Sequence, residues 1–174
     1  QLSLNMMAQG VGAEQLTHFI SALNDTLTRR IITLNLEIHD LYGIDWAWLS
    51  FGSEGRDEQT FSTDQDNGII FLCTDLMDRE LTQLRLLDFA RDVNADLDRC
   101  GFPLCSGNIM ASNPALCLTL EEWEEKFAAW IRTPEPEALL NATIFFDFRA
   151  LFGKLNLAER LHLSLMRLGR GNTI

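Results

Sequence analysis

WAWLSFGSEGRDEQTFSTDQDNGIIFL, residues 46–72, holds two short apolar runs separated by a polar, glycine-containing loop. The first run, Trp46 to Phe51, carries bulky side chains at successive positions. That pattern belongs to a strand of a sheet covered on both faces. It leads directly into Gly52-Ser53, and the loop then reaches Asp64-Gln65-Asp66-Asn67-Gly68 before the second run, Ile69 to Leu72. Side chains alternate along an extended chain, so Asp64 and Asp66 point the same way.

Helical patterns flank this pair of strands. Upstream, Leu16, Ile20, Leu23, Leu27, Ile31, Leu34, Ile38 and Leu41 recur at steps of three or four, and Gly43 follows where a helix would stop. Such a stripe faces a core or a partner helix. Downstream, residues 79–100 are expected to form a helix with Leu81, Leu84, Leu87, Ala90, Val93 and Leu97 inward and Gly101 as its stop. An irregular segment runs to about Pro114, with a short strand expected around Asn108–Ala111. Thr119-Leu120-Glu121-Glu122 is a capping box that opens a helix through Ile131, its glutamates forming a solvated face. Pro134 and Pro136 interrupt the chain, Glu137 to Phe152 reads as helix, and Asn156-Leu157-Ala158-Glu159 starts the last one. The order defines an α/β (α+β) unit with a small sheet and many helices.

The chain of 174 residues carries 14 Lys and Arg against 25 Asp and Glu, a net charge of −11. Nucleic-acid grooves depend on Lys and Arg to neutralise phosphates, so no nucleic-acid partner is expected. An anionic small molecule remains compatible, provided a divalent cation lies between it and the protein. No run of apolar residues is long enough to cross a membrane as a helix. Gln1 to Gly12 lacks the basic and apolar regions of a secretory signal, and the absence of an initiator Met suggests a processed chain or an excised domain. Cys73, Cys100, Cys105 and Cys117 form no Cys-x-x-Cys pair, and His18, His39 and His162 are scattered. Reduced thiols in a cytoplasmic protein are therefore expected, rather than a zinc site.

Three familiar motifs fail in residues 51–68. A phosphate-binding Walker loop needs a Lys that is missing, and a nucleophile elbow needs a residue between its first Gly and Ser. A calcium loop starting at Asp64 would place Gly where Ile69 stands. What remains is the carboxylate pair. Two carboxylates on one face are hard oxygen ligands able to share a divalent cation, and without one they repel each other. Taken alone, an Asp-x-Asp before a strand also reads as polar residues of a turn.

Together with the preceding Gly-Ser, the pair resembles the DNA polymerase beta-like nucleotidyltransferase superfamily. The detailed match is to a bacterial family assigned as nucleotidyltransferases, often linked to cyclic-nucleotide-binding and CBS sensor domains and similar to the uridylyltransferase of signal protein PII. It rests on Gly52 to Thr60 and Thr63 to Asn67, then on Cys100-Gly101-Phe102-Pro103, Met110-Ala111-Ser112-Asn113-Pro114, Trp123, Phe145-Phe146-Asp147-Phe148-Arg149 and, near the start, Asn24-Asp25 with Thr28-Arg29-Arg30. The resemblance implies a polymerase beta-like fold with a small mixed sheet. Residues 1–43 would be an N-terminal helical segment, 44–155 the nucleotidyltransferase core, and 156–174 the start of a C-terminal helical region. It also implies that Gly52 and Ser53 hold the phosphates of an NTP and that Asp64 and Asp66 bind Mg²⁺, with Mn²⁺ as an alternative. A nucleoside monophosphate would pass to a hydroxyl of a protein or a small molecule, in signalling.

Two departures accompany the match. Polar Gln65 stands between the carboxylates where the superfamily has an apolar residue, and the short expected strand offers Asn108 where the superfamily has a third acid. Asp147 is the candidate substitute, with a salt bridge to Arg149 as its competing role. Arg56 is the candidate phosphate contact, or else a partner for neighbouring acids such as Asp57 and Glu58. Gln59 and Asn67 are read as hydrogen-bonding the loop. The positive segment 149–170 is read as a solvated face rather than a cover for the phosphates. If no third acid exists, the alternative is a nucleotide-binding regulatory or interaction module of little or no activity. Homo-oligomerisation through the first helix belongs to the same alternative.

Overall fold

Every residue of Trp46–Ser50 is buried, and this strand, β1, lies inside the sheet as its apolar run requires. The computed structural model describes residues 12–56, 58, 64–73, 76–132 and 144–171. Around β1 the chain runs as α1 (Ala13–Asn35), the one-turn α2 (Gly52–Gly55), β2 (Asn67–Phe71), α3 (Leu76–Arg99), a 3-10 turn (Pro114–Leu116) and β3 (Cys117–Thr119). It continues with α4 (Leu120–Arg132), β4 (Arg149–Gly153) and α5 (Asn156–Gly171). The strands form one sheet in the order β3-β2-β1-β4. β1 is antiparallel to both neighbours, while β2 and β3 run parallel, so the sheet is mixed and the fold α+β.

Alternation along the two inner strands divides the interior into two cores. Trp46, Trp48, Ile69 and Phe71 face α1 and α3, where they meet Ile31, Ile32, Leu86, Phe89, Ala90 and Val93. Ala47, Leu49, Phe51 and Ile70 face α4 and α5, where they meet Trp123, Phe127, Leu157 and Leu161. Burying one such side chain contributes roughly 1.5–3 kcal/mol, so a sheet covered on both faces is the strongest constraint on this chain. The capping box forms as expected: Glu122 N–H donates to Thr119 Oγ1 at 3.2 Å, and Thr119 N–H to Glu122 Oε2 at 2.9 Å.

Several expectations are corrected. α1 stops at Asn35, well before Gly43, because Glu37 N–H and Ile38 N–H bond back three residues and tighten the chain into turns. Buried Asn35 stabilises that end by donating to Ile31 O at 3.1 Å and to Asp96 Oδ2 at 3.0 Å. Ile38 is consequently 74% exposed. In α3 the inward face is Leu86, Leu87, Phe89, Ala90, Val93 and Leu97, while Leu81 and Leu84 are 60% and 61% exposed. The first turns meet the sheet through polar side chains instead: Gln83 Nε2 donates to Cys117 O in β3 at 2.7 Å, and Arg79 pairs with Glu122. No strand forms at Asn108–Ala111; the third strand is β3, too short to show a period of two. The helix expected over Glu137–Phe152 does not extend through its C-terminal part, where Arg149–Gly153 pairs with β1. Residues 137–143 of that stretch lie outside the described residues.

The two largest buried side chains differ in one respect. Trp123 Nε1–H donates to Ile69 O at 2.9 Å, whereas the buried Trp48 Nε1 has no partner among the described residues. Trp123→Phe is therefore expected to lower unfolding stability about 1 kcal/mol more than Trp48→Phe, measured by urea denaturation. Equal losses would show that the indole hydrogen bond contributes nothing.

Candidate functional site

The carboxylate pair is brought to the end of β1 by strand pairing. Ser50 lies opposite Asn67, and Phe51 N–H donates to Asp66 O at 2.9 Å. Gly52 then turns the chain at φ +54, and Gly55 N–H and Arg56 N–H bond back to Phe51 O and Gly52 O, each at 3.0 Å, closing α2. A Cβ placed on Gly52 would stand 3.5 Å from Asp66 Oδ2, so the bare α-carbon of the turn faces the carboxylate. Gly55 is equally constrained, since a Cβ there would collide with the carbonyl of Asp147. The Gly-Ser turn, Asp66 and the segment entering β4 are thus neighbours.

Asp64 is exposed and Asp66 half-buried. Burial, and after it the charge of Asp64, push the Asp66 carboxyl up to about 6, against the stabilising thiol of Cys105. That thiol donates to Asp66 Oδ1 at 3.5 Å. On the other side of the segment, Gln65 and Asn67 are buried in a network of amides. Gln65 Nε2 donates to Phe102 O at 2.8 Å and to Asn94 O at 3.0 Å, and Ala111 N–H donates to Asn67 Oδ1 at 2.8 Å. A polar residue between the two acids is explained by this burial, because each of these amides is satisfied. The same bonds explain why the Cys100–Pro103 and Met110–Pro114 segments accompany the acidic motif.

The underside of the turn is ionic. Arg149 donates to both oxygens of Asp25 at 2.8 and 2.7 Å and to Glu54 O at 3.0 Å, tying α1, β4 and α2 together. Arg29 adds a bond to Asp25 Oδ2 at 3.3 Å and another to Leu151 O at 3.1 Å. Burial, then the charge of Asp66, push the Glu54 carboxyl up to about 8, opposed by Arg149 and by a hydrogen bond with Ser50.

Gly52 faces Asp66, and Ser53 and Arg56 follow it in and just after the one-turn α2. Arg56 makes ion pairs with Glu58 at 2.8 Å and Asp147 at 2.9 Å. Asp147 bonds Arg56, while Arg149 bonds Asp25, and Asp147 sits in a bend before β4 rather than in a helix. Among the described residues no group of three or more His, Cys, Asp and Glu side chains is arranged to hold a metal. The donors present suit a different arrangement. Mg²⁺ is commonly held by one or two carboxylates, with phosphate oxygens and water completing its octahedron. Asp64 and Asp66, mutually repelling and faced by an open glycine, fit that role.

Sequence reading missed Asn94, Cys105, Glu54 and the Asp25–Arg149 pair as parts of the site. Asn94 did leave a signal, since it falls on the apolar face of α3 between Ala90 and Leu97, where a polar residue needs a partner. Gln59 lies outside the described residues, as does Asp57.

A mixed sheet with a Gly-Ser turn beside two carboxylates is the arrangement of a nucleotidyltransferase-like domain. The family described as "Putative nucleotidyltransferase DUF294" matches residues 1–137, and the chain belongs to it. No curated protein and no solved structure matches the chain. Asp147 and Arg149 lie beyond the matched residues.

Glu54 yields a pH-dependent expectation. Its folded value of about 8 lies above the ordinary 4.5, so the folded state keeps a proton that the unfolded chain releases. Stability from this group is full below about 4.5 and is lost as pH rises to about 8. Glu54→Gln should therefore melt higher than the parent by an amount that grows across this window, reaching roughly 3 °C or more, and stays constant above it. A melting difference independent of pH would contradict the assignment.

Proposed function

We propose that this domain is a Mg²⁺-dependent nucleotidyltransferase that moves a nucleoside monophosphate from an NTP to a hydroxyl of a protein or small molecule. The observation that carries the reading is the approach of the Gly52 turn to Asp66 Oδ2, with Asp64 two residues away. Bound Mg²⁺ would neutralise the triphosphate and stabilise the attacking and leaving oxygens. The chain's own residues supply the rest. Asp64 and Asp66 hold the cation, and Gly52 lets the backbone approach the phosphates while Ser53 offers its hydroxyl. Arg56 exchanges Glu58 for phosphate oxygens, while Asp147 keeps its guanidinium beside α2. A bond forms from the acceptor oxygen to the α-phosphorus as the bond to the bridging oxygen breaks; pyrophosphate leaves in line, and the hydroxyl proton passes to water or to the departing pyrophosphate. A net charge of −11 favours a protein or small acceptor over a nucleic acid, and a cytoplasmic signalling role accords with it.

The absence of a third acidic ligand among the described residues favours a second reading, a module that binds nucleotide with little turnover. Pyrophosphate release with each NTP and a panel of protein and small-molecule acceptors separates the two. Saturable Mg-NTP binding without release supports the second reading.

Asp64→Asn combined with Asp66→Asn is expected to abolish Mg-dependent NTP binding, a loss of at least about a hundredfold, while leaving the melting temperature unchanged or higher. Undiminished binding in that double variant would remove the assignment. Proton and cation also compete for Asp66, so apparent Mn²⁺ affinity should rise with pH up to about 6 and level off above it. Below that point the slope approaches roughly tenfold per unit, read by titration at pH 5 to 8.

A further inference from the structure

We propose that Asn94, on α3, is the positioning residue of the carboxylate pair: its side-chain amide fixes how the 64–67 segment is rotated, and so where Asp64 and Asp66 project. The inference rests on the metal-binding reading of those two residues and deepens it.

Asn94 is 2% exposed and surrounded on its helix by residues of the core. Its Nδ2 group donates twice, to Gln65 Oε1 at 2.7 Å and to Asn67 Oδ1 at 3.0 Å. Its Oδ1 accepts from Ser112 N–H at 3.1 Å, and its backbone carbonyl accepts from Gln65 Nε2 at 3.0 Å. One planar amide therefore grips the two residues that alternate with the acids, and also the loop that follows α3. That loop is bonded to the same segment from its other side, with Gln65 N–H on Pro103 O at 3.0 Å and Asn67 N–H on Ile109 O at 3.1 Å. Between those two anchor points lies Cys105, whose thiol reaches Asp66.

The geometry of the grip is directional. An amide presents its two donors in a fixed fork, so Gln65 and Asn67 are held together on the α3 side. With residues 65 and 67 fixed inward, alternation forces residues 64 and 66 outward, toward the Gly52 turn. The frame that carries the amide is rigid, because Leu86, Phe89, Ala90, Val93 and Leu97 seat α3 in the core. An apolar side chain at position 94 would suit those neighbours and spare the burial of an amide. The amide secures orientation rather than packing. Groups that orient metal ligands from behind typically change metal affinity 10- to 100-fold when removed.

The test is a titration of the 174-residue chain with Mn²⁺ alone, followed by the loss of the free-ion EPR signal, beside urea denaturation. Amide hydrogen exchange of residues 64–67 and 102–112 in the metal-free chain is measured in parallel. Asn94→Ala is expected to weaken Mn²⁺ binding tenfold or more and to speed exchange in both segments. Gln65→Met, which empties the other end of the network at similar volume, should weaken binding several-fold even if Asn94→Ala does not fold. Trp123→Phe, destabilised in the opposite core, should bind Mn²⁺ within twofold of the parent. Parental affinity in a folded Asn94→Ala or Gln65→Met chain would overturn the inference, as would an equal loss in Trp123→Phe. A parent chain with no saturable Mn²⁺ site overturns the metal-binding reading first, and that outcome is distinct because no affinity is there for a variant to lose.

Discussion

The antiparallel pairing of β1 with β2 governs the molecule because it performs two tasks at once. Its register sets Trp46 opposite Phe71 and Trp48 opposite Ile69, giving the sheet a face that α1 and α3 must cover. Carried two residues further, the same register brings the chain leaving β1 against the chain entering β2. The bond from Phe51 N–H to Asp66 O is the last rung of this ladder, and the glycine turn meets the acid immediately beyond it. A slip of one residue would reverse both faces of β2 and separate the turn from the carboxylate together. Hydrophobic burial, the largest favourable energy in the fold, therefore also enforces the geometry of the site.

The electrostatic character of the site follows from how its charges are enclosed. Glu54 and Asp66 both hold protons more tightly than ordinary carboxyls, the first chiefly through burial and the second through burial with a like charge nearby. Arg149 is committed to Asp25 and to the backbone of α2, so it steadies the turn without neutralising Asp66 directly. The result is a cluster of carboxyl groups at the end of the inner strands, where burial and like charge make each harder to ionise. Under the proposed function, a cation bound there would relieve that repulsion, and a triphosphate could then follow it onto an acidic protein.

Local signals made part of this legible. The consecutive bulky residues of β1, the Thr119–Glu122 box and the apolar run of β2 each act within a few residues, and each element appears where the sequence placed it. The misreadings share a different cause. β3 has three residues, and β4 is a half-exposed edge strand with a bulge opposite Trp48 and Leu49, so neither displays a clear period. Leu81 and Leu84 match a helical stripe yet are exposed, because the first turns of α3 meet β3 and α4 through Arg79 and Gln83 instead. The supports of the site are the least local of all: Gln65 lies 29 residues from Asn94, and Asp25 lies 124 from Arg149. Nothing in a single sequence joins such positions before the fold does.

That last separation has a consequence for how the molecule comes into being. During synthesis the acids, the glycine turn and α3 all leave the ribosome well before Arg149 does. Until then Asp25 lacks the guanidinium that fastens α1 to β4, and the turn lacks the bond to Glu54 O. Long-range closures of this kind come late in folding, after the local elements exist. The parts that would bind the ligand are thus made early and set in place last, and a nascent chain cannot present a finished site ahead of its own fold.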